Sequence, residues 1–449
     1  LKQITLQDRY QHTLDFMYAQ LPMYHRVGAA AFKKDLTNTL ALCEHLGNPH
    51  QKFPSVHVAG TNGKGSVSHF LSGICQAAGL KVGLYVSPHY LDFRERIKVN
   101  GIYIPKQKVV DFVDQNKEAI TAIKPSFFEM CVAMAFDHFA REKVDIAIVE
   151  VGLGGRLDST NIITPLLSVI TNISFDHMDM LGNTLPLIAG EKAGIIKKGI
   201  PVVVGETHPE TAPVFEAKAQ KELASIVFAD QHFKTIAVKE TLGNSVFQVL
   251  KNEAVYMPNF EAEIAGPYQS KNISTALQAV DILWQLPGFQ LILKDNNANA
   301  ALVEYIENAF GNLRAFTKFQ GRWQLISQNP MVLCDSAHNE AGLKEVFEKL
   351  EKFPTLAKAQ LHIVTGFVND KDLSKALVCF PRSAKYYFAK ANIPRGLDKD
   401  VLKTQAAEFG LHGRAYASVR RALGAAKRAA SGDDVVLVVG SIFVVAEVL

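Results

Sequence analysis

Ser55-Val56-His57-Val58-Ala59-Gly60-Thr61-Asn62-Gly63-Lys64-Gly65-Ser66 is the stretch on which the fold turns. Ser55 to Ala59 has the composition of a short buried strand, and Val67, Phe70, Leu71, Ile74 and Ala78 then share one helical face until Gly79 stops the pattern. Glycines between a strand and a helix let backbone N–H groups wrap an anion beside the positive end of the helix. In that setting Lys64 reaches terminal phosphates and Ser66 approaches Mg²⁺. The spacing departs from G-x-x-x-x-G-K-[ST], because Gly65 stands between Lys64 and the hydroxyl and only two residues separate Gly60 from Gly63. The plain alternative is a glycine turn with a solvated lysine. Three glycines, a Lys and a Ser at one strand-to-helix junction favour phosphate.

Outward from the loop, β-branched runs alternate with helix-length segments. Strands are predicted at Lys81 to Val86, Asp145 to Val151, Leu166 to Ile170 and Ile200 to Val204, the signature of a parallel sheet with covered faces. Residues 1 to 50 read as amphipathic helix, broken at Gly47-Asn48-Pro49. Residues 227 to 265 read as a small antiparallel patch, and 268 to 283 as a helix. A second alternating block begins near Arg322, with strands at Met331 to Cys334, Leu361 to Thr365, Ala384 to Phe388 and Val435 to Val439. The expected organisation is α/β throughout: a P-loop ATPase-type parallel-sheet domain over 1–315, then a smaller Rossmann-like domain over 316–449.

In open parallel sheets, ligands gather at the strand C-termini. Glu150 ends the apolar run Ile146-Ala147-Ile148-Val149 and would offer a hard-oxygen ligand beside the loop. Val151-Gly152-Leu153-Gly154-Gly155-Arg156-Leu157-Asp158 continues along that edge, Ser87-Pro88-His89 follows another strand, and Asp176-His177 follows a third. Each alone is a capped strand end or a surface polar group; together they favour a shared site. Histidine is an unusual Mg²⁺ ligand. Lys192 lies on a helical pattern among apolar neighbours, either a packed surface lysine or a functional amine.

Composition removes other classes. The 449 residues are 48% hydrophobic and 20% charged, an ordinary globular balance spread over more than one domain. Lys plus Arg total 48 against 44 Asp plus Glu, and the net of +4, with no basic run, does not support a nucleic-acid partner. Five widely spaced cysteines without a CxxC pair read as reduced thiols of a cytoplasmic protein. The N-terminal stretch is polar and mixed in charge, unlike a signal peptide, and the missing start Met leads us to expect residues upstream of Leu1. Val435 to Ala446, broken by Gly440-Ser441, is too short to span a bilayer and reads as a buried strand plus a turn.

The motifs HVAGTNGKGS, SPHYLDFRERIKVNG, IVEVGLGGRLDSTNII, ISFDHMDMLGNTLPLIAGEKAGIIKKG, GPYQSKNISTALQAV, GRWQ and DSAHN occur in order from about residue 20 to the C-terminus. Together they resemble the bifunctional folylpolyglutamate synthase/dihydrofolate synthase family of Mur-type ligases. The resemblance implies that ATP activates a pterin-linked carboxylate as an acyl phosphate, which L-glutamate then attacks. Substrates would be dihydropteroate and reduced folates, and the enzyme is expected to be a monomer. By position, the family pattern places Ser87 and Glu150 on one Mg²⁺, and Glu150 with His177 on a second. Lys192 matches a lysine that becomes carbamylated. Asn272, Arg322 and Asp335 match ATP contacts from the two domains, implying a site completed when the domains meet. His338 and Ser441 match positions linked to glutamate. Ser126, Phe128 and Asp158 match the dihydropteroate region, where Phe127 or Phe128 could stack on the pterin; the family often has Thr at the Ser126 position. Met23-Tyr24-His25-Arg26-Val27 follows the pterin-side pattern only loosely. Competing readings are a Mur-type ligase with another carboxylate substrate, a folylpolyglutamate synthase without the second activity, and a nucleotide switch that ligates nothing. A cell-wall ligase of this type needs a nucleotide-sugar domain, and only about 52 residues precede the loop strand.

Overall fold

The computed structural model describes residues 5–19, 35–266, 268–293, 298–352, 359–369 and 373–449. The Met23–Val27 segment lies outside them. The chain forms two units. One comprises Leu1–Val238, Val246–Ala262 and Ser270–Phe319; the other comprises Lys239–Ser245, Glu263–Gln269 and Gln320–Leu449.

The first unit is built on eight strands: β1 Ser55–Ala59, β2 Val82–Tyr85, β3 Ile97–Val99, β4 Ile102–Tyr103, β5 Ile146–Glu150, β6 Leu167–Ile170, β7 Val202–Val204 and β8 Ile226–Phe228. Their order is β4-β3-β2-β5-β1-β6-β7-β8. β1 lies between β5 and β6 and pairs with both in parallel register. It is therefore the switch point of the sheet, and the segment leaving its C-terminal end opens into the crevice where such folds bind ligands. Every residue of β1 and β5 is buried, as expected for strands covered on both faces. One apolar cluster gathers Met17, Leu42, Phe136, Phe139 and Val149; another gathers Ile170, Ile196, Val202 and Phe215.

The sheet is mixed rather than wholly parallel. β3 runs antiparallel to β2, and β4 antiparallel to β3. Strands of three and two residues are too short to leave a period in the sequence. The antiparallel patch is a three-stranded sheet, β9 Phe233–Glu240, β10 Ser245–Lys251 and β11 Ala254–Ala262. Residues 226–228 belong instead to the edge of the large sheet.

Among the described residues, the second unit is built on a six-stranded sheet: β12 Gln324–Gln328, β13 Met331–Cys334, β14 Leu361–Thr365, β15 Lys385–Ala389, β16 Gly413–Tyr416 and β17 Val435–Val439, ordered β12-β13-β17-β14-β15-β16. β12 is antiparallel to β13 and the remaining pairs are parallel. The apolar run from Val435 becomes β17, the Gly440-Ser441 turn and a short helix, Ile442–Ala446. The chain is thus an α/β protein with a large, mostly parallel sheet followed by a smaller, mostly parallel one. No described helix is long and apolar enough to cross a membrane.

Candidate active site

The chain leaves β1 through Gly60 (φ 145°) and enters the helix Lys64–Ala77 through Gly63 (φ 84°). A Cβ at Gly60 would overlap Thr171 Oγ1, and one at Gly63 would overlap Asn272 Oδ1. Both glycines are therefore demanded by conformation and by space. The N-cap of this helix is Gly63, which has no side chain to cap the first turn, and a helix start of this kind suits an anion. We expect Gly63→Ala to add about 1–2 kcal/mol of backbone strain and to displace Asn272, weakening ATP binding by roughly tenfold or more. Nucleotide titration measures this; unchanged affinity would remove the loop from phosphate binding.

The loop is held from the segment that follows β6. Thr61 N donates to Asn172 O (2.9 Å), Asn62 N to Asn172 Oδ1 (2.9 Å) and Ser174 N to Thr61 Oγ1 (3.1 Å). Thr171 Oγ1 donates to Asn62 O (2.5 Å). Sequence reasoning missed Thr171, Asn172 and Ser174, although all follow a strand C-terminus and the rim rule alone would have marked them.

Two lysines converge on one carbonyl. Lys64 Nζ donates to Gly60 O (3.0 Å) and Thr61 O (3.0 Å), and Lys192 Nζ donates to the same Gly60 O (2.8 Å). Lys192 is 3% exposed on the helix Leu185–Ala193. Burial, reinforced by the Lys64 charge, pushes its amine down to about 7, against the pull of Asp176 and Asp158.

Glu150 is buried at the end of β5, and its Oε2 accepts from Ser87 N (3.3 Å). A Cβ at Gly65 would lie 3.8 Å from Glu150 Oε2, so the carboxylate faces the first turn of the loop helix. Ser66 Oγ is buried there without a hydrogen-bond partner. Among the described residues no three His, Cys, Asp or Glu side chains form a metal cage. One carboxylate and hydroxyl oxygens beside a phosphate cradle fit Mg²⁺, which keeps several waters and substrate oxygens. His177 starts the helix Met178–Leu181 with φ 50°, its Nε2 3.7 Å from Asp176 Oδ2.

Ser126 and Asp158 are caps as well as candidates. Ser126 Oγ accepts from Glu129 N (3.2 Å), and Glu129 Oε2 accepts from Ser126 N (2.5 Å). Asp158 Oδ1 accepts from Thr160 N (3.0 Å) and Thr160 Oγ1 (2.5 Å), while Oδ2 accepts from Leu153 N (2.8 Å). Burial pushes the Asp158 carboxyl up, and these hydrogen bonds oppose it. His57 Nε2 lies 2.8 Å from Thr160 Oγ1. Because that hydroxyl donates to Asp158, the imidazole must donate to it. Phe128 is half-buried near Tyr85, ring centroids 6.3 Å apart.

In the second unit, Asp335 follows β13 at 1% exposure. Its Oδ1 accepts from Ala337 N (2.8 Å), and its Oδ2 from Trp323 N (2.8 Å) and the Tyr268 hydroxyl. Burial raises the Asp335 carboxyl, with the Arg322 charge opposing. His338 Nδ1 donates to Ser336 O (3.0 Å). Ser441 follows β17, the parallel neighbour of β13, and its Oγ accepts from Val444 N (3.2 Å). Asp335, His338 and Ser441 thus share one edge of this sheet.

A glycine loop at the switch point, backed by two lysines and a buried glutamate, defines a nucleotide-using enzyme of the phosphate-loop class. Comparison with known proteins gives the family. Residues 58–280 match the Mur ligase middle domain, and residues 321–442 the Mur ligase glutamate ligase domain. The chain is 34% identical over 403 residues to a dihydrofolate synthase/folylpolyglutamate synthase of Bacillus subtilis, covering 87% of this chain and 88% of the relative. It resembles the solved Mycobacterium tuberculosis folylpolyglutamate synthase complexed with ADP (TM-score 0.85, 28% identity, 99% and 98% coverage). It also resembles E. coli FolC in complex with DHPP and ADP (TM-score 0.81, 28% identity, 98% and 96% coverage). The chain belongs to the dihydrofolate synthase/folylpolyglutamate synthase family of Mur ligases.

Proposed function

We propose that this chain joins the amino group of L-glutamate to the carboxylate of dihydropteroate, and to the γ-carboxylate of reduced folates, with cleavage of ATP to ADP and phosphate. The observation that carries the reading is the convergence of Lys64 and Lys192 on the Gly60 carbonyl, beside buried Glu150. Family membership supplies the substrate class. In this reading residues 1–315 serve ATP and the pteroate, residues 316–449 serve glutamate, and the protein works as a monomer in the cytoplasm.

A free carboxylate repels a nucleophile and lacks a leaving group. Its oxygen therefore attacks the γ-phosphorus, ADP departs, and the resulting acyl phosphate accepts the glutamate amine at its carbonyl carbon. Phosphate then leaves and the amine nitrogen gives up a proton. The protein's part is positioning and charge neutralisation. Gly60, Thr61, Asn62, Gly63, Gly65 and Ser66 shape the cradle, Lys64 takes the phosphate charge, and Asn272 orients the loop. Arg322 and Asp335 serve ATP from the second domain. His338, held by Ser336 O with Nε2 as its second face, and Ser441 serve glutamate; Ser126, Phe128 and Asp158 serve the pterin side. Ser87, Ser66 and Glu150 would hold one Mg²⁺, and Glu150 with His177 a second; when bound, the ions neutralise phosphate charge.

Lys192 is suited to carbamylation. A neutral amine attacks CO₂, a C–N bond forms, one C=O electron pair moves onto oxygen, and a proton leaves. The product is an anion that attracts Lys64 where the ammonium repelled it.

Phosphate release should require both L-glutamate and dihydropteroate or a reduced folate. ATP turnover indifferent to both would favour a nucleotide switch.

A further inference from the structure

His57 is out of place among its neighbours. It stands third on β1, a strand buried at every residue and paired on both sides, and its side chain is fully buried. Burial, with the Lys197 charge adding to it, pushes the imidazole down to about 3. The ring is therefore neutral and carries one N–H. That N–H sits on Nε2 and goes to Thr160 Oγ1 (2.8 Å). Nδ1 is buried and has no partner among the described residues. An aliphatic side chain at this position would avoid burying that bare nitrogen. What the histidine gives in exchange is its single bond to Thr160.

Thr160, also fully buried, passes that bond on. Its hydroxyl accepts from His57 and donates to Asp158 Oδ1 (2.5 Å), and its own N–H donates to the same oxygen (3.0 Å). On the other side Leu153 N donates to Asp158 Oδ2 (2.8 Å). The carboxylate is thus pinned between the loop that leaves β5 and the turn Ser159–Ile162. A carboxyl group 3% exposed needs such donors to stay ionised, because burial pushes it up. Bonds in series polarise one another, so a proton given by His57 strengthens the one given by Thr160. A Cβ at Gly152 would lie 2.4 Å from Phe128 Cζ and 3.1 Å from Asp158 Oδ2, so these two pterin-side candidates flank one glycine.

We propose that His57 and Thr160 are positioning residues: a two-step donor chain that keeps the Asp158 carboxylate ionised and fixed in orientation for the substrate. Neither side chain is asked to touch substrate; both act through Asp158. This rests on the folate reading above, in which Asp158 serves the pterin side. It deepens that reading by placing control of Asp158 on β1, the strand that also leads into the phosphate loop.

The test compares Thr160→Val, Thr160→Ser, His57→Leu and the double variant His57→Leu/Thr160→Val with wild type. The readouts are KM for dihydropteroate, ATP and glutamate, kcat, and thermal melting. Thr160→Val, which keeps the shape and loses the hydroxyl, should raise KM for dihydropteroate roughly 10- to 100-fold with little change in kcat. His57→Leu should raise it about threefold, and Thr160→Ser should stay within about twofold of wild type. KM for ATP and glutamate should stay put. Thr160→Val should also melt lower, because the His57 N–H is left buried and unpaired. The double variant removes both polar groups and should regain melting temperature while its KM for dihydropteroate stays high. The Thr160→Val penalty should grow as pH falls, since the lost donor lets the Asp158 carboxyl rise further and protonate sooner. Around Asp158 the titratable groups are His57, Tyr85 and Lys192, and only Lys192 changes charge near 7, in variant and wild type alike. An unchanged KM for dihydropteroate in Thr160→Val, equal rises for all three substrates, or a double variant whose KM recovers along with its melting temperature would each overturn the inference. A wild-type enzyme that uses no pteroate or folate at all would instead overturn the folate reading itself, and the inference with it.

Discussion

Lys64→Met is expected to lower turnover by roughly 10²- to 10³-fold, the usual cost of removing one group aimed at transition-state charge. In the structure its ammonium bonds Gly60 O and Thr61 O, both loop carbonyls, at 3.0 Å. In the proposed reading, the side chain would exchange those bonds for phosphate oxygens when ATP binds. Lys64 is only partly buried, so its replacement should change stability by less than about 1 kcal/mol. Steady-state phosphate release alongside thermal melting measures both quantities. A wild-type rate in this variant would take the lysine out of phosphoryl transfer.

Lys192→Ala should be comparably damaging, roughly 10²-fold or more, and short carboxylic acids should restore part of the activity if the working form is a carbamate. The pH dependence separates this from a structural amine. With the amine pushed down to about 7, protonation below that pH removes the nucleophile for CO₂. Wild-type activity at constant dissolved CO₂ should therefore fall as pH drops through about 7. A rescued variant, carrying a carboxylate of ordinary acidity near 4 to 5, should lack that limb. Full activity of Lys192→Ala with no additive would show that the amine only fills space.

The parts legible in the sequence are those whose chemistry is local. Gly60 to Ser66 declares itself because strand, turn and helix are contiguous, and Glu150 because a charge ends an apolar run. The hairpin of β3 and β4 was not legible, being shorter than any period. The clamp on the loop was not legible for another reason: Asn62 N bonds Asn172 Oδ1 across 110 residues. The burial of Arg96, 1% exposed with its guanidinium 5.5 Å from the centre of the Phe127 ring, was not legible either. Charge on a surface and charge sealed under aromatic rings are written with the same letters, and only packing tells them apart.

The interleaving of the two units bears on how this protein can be taken apart. The second unit takes Lys239–Ser245 and Glu263–Gln269 from the middle of the chain, and Tyr268, within the latter stretch, donates to Asp335. A gene fragment starting at Gln320 would carry the whole six-stranded sheet and still arrive short of a phenol that Asp335 depends on. Domain exchange between relatives should therefore succeed only when residues 239–245 and 263–269 travel with the C-terminal piece. A swap made at the obvious seam would leave the C-terminal half without two stretches of its own unit, stranded in the other half.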